Sequence, residues 1–329
     1  MTSSSAPPSQ HIPVMLAEVL ESLSPQSGKT YVDGTFGAGG YSRAILSTAN
    51  CTVYGIDRDP DAVKIGKELA KENPHFHILE GNFSQMDALL EGQNVRHVDG
   101  VVLDLGVSSM QLDQADRGFS FQKEGPLDMR MEQQGETAAH LLNTLPEKEI
   151  AHIIWYYGDE PKSRSIARAI VNHRTKAPFI NTLDLTKIIH AICKRHPGQK
   201  IDPATKTFQA IRIYVNKEME ALEQGLVAAE KILKEDGRLV VVAFHSLEDR
   251  RAKTFLQLRS GKKPGTSRHQ LTPVTEEKSP TFRFIEKKAI APRDAEVRLN
   301  PRARSAKLRW AVRTAASSWD SFEGDPSCK

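Results

Sequence analysis

Two apolar rhythms divide this chain. Short runs rich in β-branched and aromatic residues come first: Tyr31-Val-Asp33, Thr52-Val-Tyr-Gly-Ile-Asp57, His77-Ile-Leu-Glu80 and Val98-Asp-Gly-Val-Val-Leu-Asp104. They recur about every 20 residues with helical patterns between them, which predicts βαβ units and a parallel sheet. After Gln111 the period becomes helical. Thr144-Leu-Pro-Glu147 reads as a capping box opening a helix, with Ile150, Ile153, Ile154 and Tyr157 on one face and Gly158 at its end. Further helices are predicted over 163–174 and 182–194, the latter stopped by His196-Pro-Gly198, and a long one over 205–234. A fifth strand, 238–244, resumes the sheet. The fold class is therefore α/β, with residues 11–112 and 204–329 forming a discontinuous sheet domain. An α-helical domain, 113–203, is inserted into it, and residues 1–10 form a disordered tail.

Composition narrows the setting. The chain has 329 residues, 39% of them hydrophobic, but no apolar run nears the roughly 18 residues needed to span a membrane. The small, uncharged start lacks the marks of a signal or transit peptide. Cys51, Cys193 and Cys328 are far apart and form no Cys-x-x-Cys pair, so neither a disulfide framework nor a zinc site is suggested. No cluster has metal-ligand spacing, and a reducing, cytoplasmic compartment is expected. The net charge of +4 conceals a polarity: residues 250–313 hold 18 Lys or Arg against 5 Asp or Glu. Segregated positive charge is the footprint of a phosphate-binding surface. A solvated basic segment would look the same, and 262–280 reads as a loop that orders on contact with a partner. Basic residues of the insertion, Arg164, Arg168, Arg174, Lys176, Lys194 and Arg195, either line a nucleic-acid cleft or are solvated.

The chemistry lies at the strand ends. Tyr31-Val-Asp-Gly-Thr-Phe-Gly-Ala-Gly-Gly-Tyr-Ser42 places a glycine-rich turn between a strand and a helix, as nucleotide sites do. Gly37-x-Gly39 is followed by Gly40, Tyr41 and Ser42, so the third glycine of a dinucleotide fingerprint is missing, and Asp33 ends the strand. A carboxylate there repels a diphosphate but suits an ammonium and a sulfonium, which favours S-adenosylmethionine (AdoMet) over NAD. Asp57, ending the second strand, is placed to accept ribose hydroxyls, and Phe83 follows the third strand where an adenine would lie. Asp104 ends the fourth. Asp57 or Asp104 taken alone is also readable as a helix cap.

Longer blocks carry a resemblance. Asp33-Gly-Thr-Phe-Gly-Ala-Gly-Gly, Asp57-Arg-Asp-Pro60, Leu103-Asp-Leu-Gly-Val-Ser-Ser109, Arg117-Gly-Phe-Ser-Phe121 and Gly125-Pro-Leu-Asp-Met-Arg-Met131 resemble the RsmH (MraW) family. So do Thr207-Phe-Gln-Ala-Ile-Arg212, Phe244-His-Ser-Leu-Glu-Asp-Arg250 and Asn300-Pro-Arg-Ala-Arg-Ser305. Tyr41, where His is common, and Met110, where Pro is common, depart from the family form. The resemblance implies a Rossmann-like AdoMet-dependent methyltransferase sheet with an inserted α-helical domain for RNA recognition. It also implies methyl transfer to N4 of a cytidine in 16S ribosomal RNA, near the decoding region of the small subunit. It marks Asp33, Gly37, Gly39, Gly40, Tyr41, Asp57, Phe83, Asp104 and Gln111 for the cofactor, and Asp104, Ser108 and His245 for catalysis.

Each catalytic candidate has a second reading. Asp104 either orients the amine or holds AdoMet, Ser108 and Ser109 supply hydroxyls or cap a turn, and His245 relays a proton or anchors its turn. Phe119 and Phe121 either stack on the base or form a hydrophobic plug joining the two domains. C5 methylation would need a cysteine nucleophile, and none lies near Asp104. An NAD-dependent dehydrogenase and a non-catalytic RNA-binding assembly factor are the competing classes. Oligomeric state is left open, a homodimer included.

Overall fold

The structure is a computed structural model that describes residues 13–194, 198, 201–262, 278–286 and 288–322. The expected tail, 1–10, and most of the expected loop, 262–280, lie outside the described residues. Two compact units divide the chain: one takes it up to Leu105 and again from Glu223 onward, the other is Gly106–Leu222.

The first unit is built on seven strands: β1 (Thr30–Asp33), β2 (Thr52–Asp57), β3 (Phe76–Glu80), β4 (Val98–Asp104), β5 (Leu233–Ala243), β6 (Phe282–Phe284) and β7 (Lys307–Arg313). Their order is β3-β2-β1-β4-β5-β7-β6. The first five pair in parallel, while β7 is antiparallel to both β5 and β6. The interior strands read as near-continuous apolar runs; in β4 all but Asp99 and Asp104 are buried. That pattern belongs to strands covered on both faces. Six helices accompany the sheet: α1 (Leu16–Leu23), α2 (Gly40–Thr48), α3 (Pro60–Glu72) and α4 (Met86–Glu91), then, after the second unit's helices, α12 (Ser246–Arg259) and α13 (Asp294–Leu299). A seventh, α11 (Glu218–Ile232), belongs to this unit from Glu223 onward.

The second unit holds α5 (Ser109–Asp113), α6 (Ala138–Thr144), α7 (Glu147–Gly158), α8 (Ser163–Arg174), α9 (Thr182–Ile192) and α10 (Ala204–Val215). Its core joins Ile150, Ile153 and Ile154 of α7 to Ile166 and Ile170 of α8 and Phe208 and Ile211 of α10. Phe119 is buried in this core, and Phe121 packs edge-on against Phe208 at 5.4 Å. Phe119 thus belongs to the helical unit's own interior, and half-buried Phe121 packs against it. The sequence places the insertion at 113–203; α10 joins the helical unit because its apolar face completes that core.

Two local expectations change. Thr144 donates its hydroxyl to the His140 carbonyl, and Pro146 is the N-cap of α7, so the capping box does not form. The long helix predicted over 205–234 is two helices broken at Asn216-Lys217, where Lys217 is left-handed at φ 49°. Asn216 is held there by the backbone of Met129 and Met131, through bonds of 2.7 and 2.8 Å.

Candidate active site

Strand order reverses between β1 and β4, and a crevice forms outside the carboxyl ends of such strands. Asp33, Asp57 and Asp104 are the last residues of β1, β2 and β4. The turn after β1 is tied into this edge by its backbone. Gly34 donates to the Val102 carbonyl at 2.9 Å and Phe36 to that of Ile56 at 3.0 Å. Thr35 Oγ1 accepts the Asp104 N–H at 2.7 Å. The Asp57 carboxylate accepts the N–H groups of Gly37 and Asp59, both at 2.8 Å, so it braces the turn and does not cap α3, whose N-cap is Asp59.

The glycines act partly through packing. A Cβ on Gly39 would sit 2.7 Å from the Phe36 ring, and one on Gly40 2.2 Å from Pro13. Gly39 also takes φ 78° as the N-cap of α2, a conformation that favours glycine. The Phe36 ring lies against Gly55 of β2 and packs on Phe76 at 5.2 Å.

The acids differ in exposure: Asp33 is buried, Asp57 and Asp104 are half-buried. Asp33 is fully buried, and Ser42 donates to its Oδ2 at 2.7 Å. Burial lifts its carboxyl to about 6 against the pull of the Ser42 hydroxyl. Burial likewise raises Asp57. Asp104 rises well above the usual carboxylate range through burial and the nearby charges of Asp33 and Glu248, opposed by a hydrogen bond with Tyr41. The Val14 carbonyl competes with Asp104 for the single proton of the Tyr41 hydroxyl. Asp104 Oδ1 is buried without a hydrogen-bond partner. An orphaned carboxylate oxygen at the same sheet edge as buried Asp33 and half-buried Asp57 fits a cationic ligand and disfavours an anionic one.

The remaining candidates are placed by their helices. Phe83 is half-buried in a 3₁₀ turn after β3, its ring 2.4 Å from where a Cβ on Gly225 would stand. His245 follows β5 as the N-cap of α12: its Nδ1 accepts the Glu248 N–H at 3.4 Å, and its Nε2 lies 3.0 Å from Glu248 Oε1. Glu248 Oε2 accepts the backbone N–H groups of Phe244 and His245. In the helical unit, Ser108 and Gln111 form the capping box of α5. Sequence reading missed Thr35, Ser42 and Val14. The first two stand inside the glycine-rich motif and were legible there; Val14 is 27 residues from Tyr41 and carried no signal.

The family model of the MraW methylase family matches residues 8–314. This chain belongs to that family. Three curated relatives, each called ribosomal RNA small subunit methyltransferase H, are similar over nearly the whole chain. The protein of Paramagnetospirillum magneticum is 53% identical over 95% of this chain and 98% of its own. That of Hyphomonas neptunium is 54% identical over 94% and 90%, and that of Rhodospirillum rubrum 52% over 94% and 96%. As an MraW methylase the chain uses AdoMet as its methyl donor, in keeping with the acids that line the switch point. Among the described residues, no helix is long and apolar enough to cross a membrane.

Proposed function

We propose that this MraW methylase methylates N4 of a cytidine in 16S ribosomal RNA, near the decoding region of the assembled or assembling small subunit, in the cytoplasm. The observation that carries the reading is Asp104, whose buried and unpartnered oxygen stands at the switch point of the sheet. Bound AdoMet supplies an electrophilic methyl group on a positively charged sulfur. Asp33 and Asp57, with the turn they brace, are the groups that hold the ammonium and ribose ends. Cytosine N4 is a weak nucleophile because its lone pair is delocalised into the ring. Asp104 accepts a hydrogen bond from the amine, turns its lone pair out of conjugation and stabilises the charge that develops on nitrogen. The Thr35 hydroxyl holds the backbone N–H of Asp104, and the Tyr41 hydroxyl bonds its side chain. His245 acts by anchoring the turn after β5, and Ser108 and Gln111 by closing α5.

Methylation at carbon would need a thiolate. Cys51 sits at the amino end of β2, away from the crevice, and Cys193 caps the end of α9. Nucleoside mass spectrometry of small-subunit RNA from cells with and without the gene tests the reading. N4-methylcytidine should fall at one site when the gene is absent, and an unchanged level would refute it.

A further inference from the structure

On α7 the residues left outside the core are unusually aromatic. His152 and Trp155 are exposed, Trp155 by 57%, Tyr156 is half-buried, and Tyr157 packs against the edge of the core. The rings run in sequence: His152 lies 6.1 Å from Trp155 and stacks on Tyr156 at 5.6 Å, with an interplanar angle of 17°. Tyr156 meets Tyr157 edge-on at 4.9 Å, and Tyr157 reaches exposed Tyr214 of α10 at 6.3 Å. Burial does not explain this choice, since Ile150, Ile153 and Ile154 already fill the core side of the helix.

Charge narrows the occupant. Residues 161–217 hold 12 Lys or Arg against 2 acids, Asp184 and Asp202. The two helices packed on α7, α8 and α10, carry cations and no acid: Arg164, Arg168 and Arg174 on one, Lys206 and Arg212 on the other. Acids of α7 itself, Glu147 and Glu149, are confined to its first turn, and Asp159 follows its last. Arg168 faces Glu147 at 3.8 Å, Arg212 is paired with Glu218, and Arg174 donates to the Leu142 and Leu145 carbonyls. Arg164 and Lys206 are exposed, with Lys206 donating to the Asp159 carbonyl. Rings flanked by acid-free cationic helices have the make-up of a single-strand stacking platform, where bases lie on aromatic faces and cations track the phosphates.

We propose that His152, Trp155, Tyr156 and Tyr214 form a stacking platform for unpaired bases of the RNA substrate. The proposal rests on the rRNA-methylating function above and adds the surface by which the helical unit grips a single strand. It concerns affinity for RNA and leaves the methyl-transfer step alone.

Trp155 reports on its own surface. The chain has three tryptophans; changing Trp310→Phe and Trp319→Phe leaves Trp155 as the only indole. Adding a single-stranded oligocytidylate of about ten nucleotides should quench its fluorescence, an effect that added salt weakens. Trp155→Ala and Tyr214→Ala should each raise KM for small subunits about tenfold, with kcat and calorimetric AdoMet affinity unchanged, and Trp155→Phe should restore most of the loss. No quenching, together with an unaltered KM, would overturn the platform even if the parent enzyme methylates subunits normally. Quenching by RNA-free ribosomal proteins but not by RNA would also overturn it, assigning the face to a protein partner. Failure of the parent enzyme to produce N4-methylcytidine would instead refute the function, with quenching still deciding the platform.

Discussion

At the scale of single residues, three acids share one problem. Asp33, Asp57 and Asp104 stand at neighbouring strand ends, the first buried and the others half-buried, and each is pushed above its ordinary value. For an acid raised in the folded state, the stability it contributes is complete below its unfolded value, 3.8, and is lost as pH rises through the folded one, about 6 for Asp33. The ligand-free protein should therefore melt at lower temperature as pH climbs across that window. A cation in the crevice offsets the loss, so AdoMet should raise the melting temperature more at about pH 7.5 than at about pH 5. A ligand-induced shift that does not vary with pH would contradict this. Asp104→Asn separates binding from chemistry. It keeps one carbonyl acceptor and loses the charge, so single-turnover methylation should slow by about 10²–10³ while AdoMet affinity falls far less. Full recovery at saturating AdoMet would mean that Asp104 only holds the cofactor. That these acids stand at the strand ends was legible in the sequence, because each closes an apolar strand. That Thr35 holds the Asp104 backbone was not, because that bond crosses 69 residues of chain.

At the scale of elements, the five parallel strands were legible; the antiparallel β6 and β7 and the helix breaks were not. β2 and β4 run where the apolar runs predict them, since a strand buried on both faces must be apolar along its length. The break at Asn216-Lys217 left no trace in the apolar period, because a side chain reaching Met129 and Met131 from far along the chain decides it. The same holds for the segment from Arg117 to Met131, which has little regular structure. Gly118 sits at φ 71°, and a Cβ there would stand 2.1 Å from the Pro126 carbonyl oxygen. Arg117 secures the segment through the carbonyls of Arg130 and Met131 at 3.1 and 3.0 Å. Gly118→Ala should thus cost about 3 kcal/mol, from left-handed strain and backbone collision together. Urea unfolding monitored at Trp155 in the Trp310→Phe, Trp319→Phe background would measure it; a loss under about 1 kcal/mol would show that the segment relaxes.

At the scale of the whole molecule, the basic stretch is only partly a surface. Arg259 is fully buried against Glu230 at 2.8 Å, under Trp319 at 4.0 Å and beside Phe255 at 4.8 Å. Arg313 is buried on the carbonyls of Glu230 and Thr281, and Arg309 and Lys307 hold Asp249. Several of the cations that looked like a phosphate footprint thus close the sheet unit internally. The last described residues are pinned to the same place: Arg259 donates to the Ser321 carbonyl at 2.7 Å, and Phe322 stacks on Phe255 at 5.8 Å. Breaking a buried ion pair by removing one partner costs about 3–5 kcal/mol. Arg259→Ala and deletion of residues 315–329 should each lower the melting temperature. Together they should lower it by less than the sum, with a coupling of at least about 1 kcal/mol. Additive losses would mean that the terminal segment and the ion pair act independently.

The sequence by itself determined the parallel sheet, the acids at its strand ends, the cationic character of the ligand and the presence of a helical insertion. All of these follow from patterns short enough to be written in consecutive residues. Tertiary structure decided where the insertion ends, since α10 joins whichever core its apolar face completes. It also decided that Gly39 and Gly40 make room for Phe36 and Pro13, that His245 caps α12, and that Arg259 and Arg313 turn inward. Each of these depends on which distant residue comes to lie alongside, and periodicity along the chain carries no record of that.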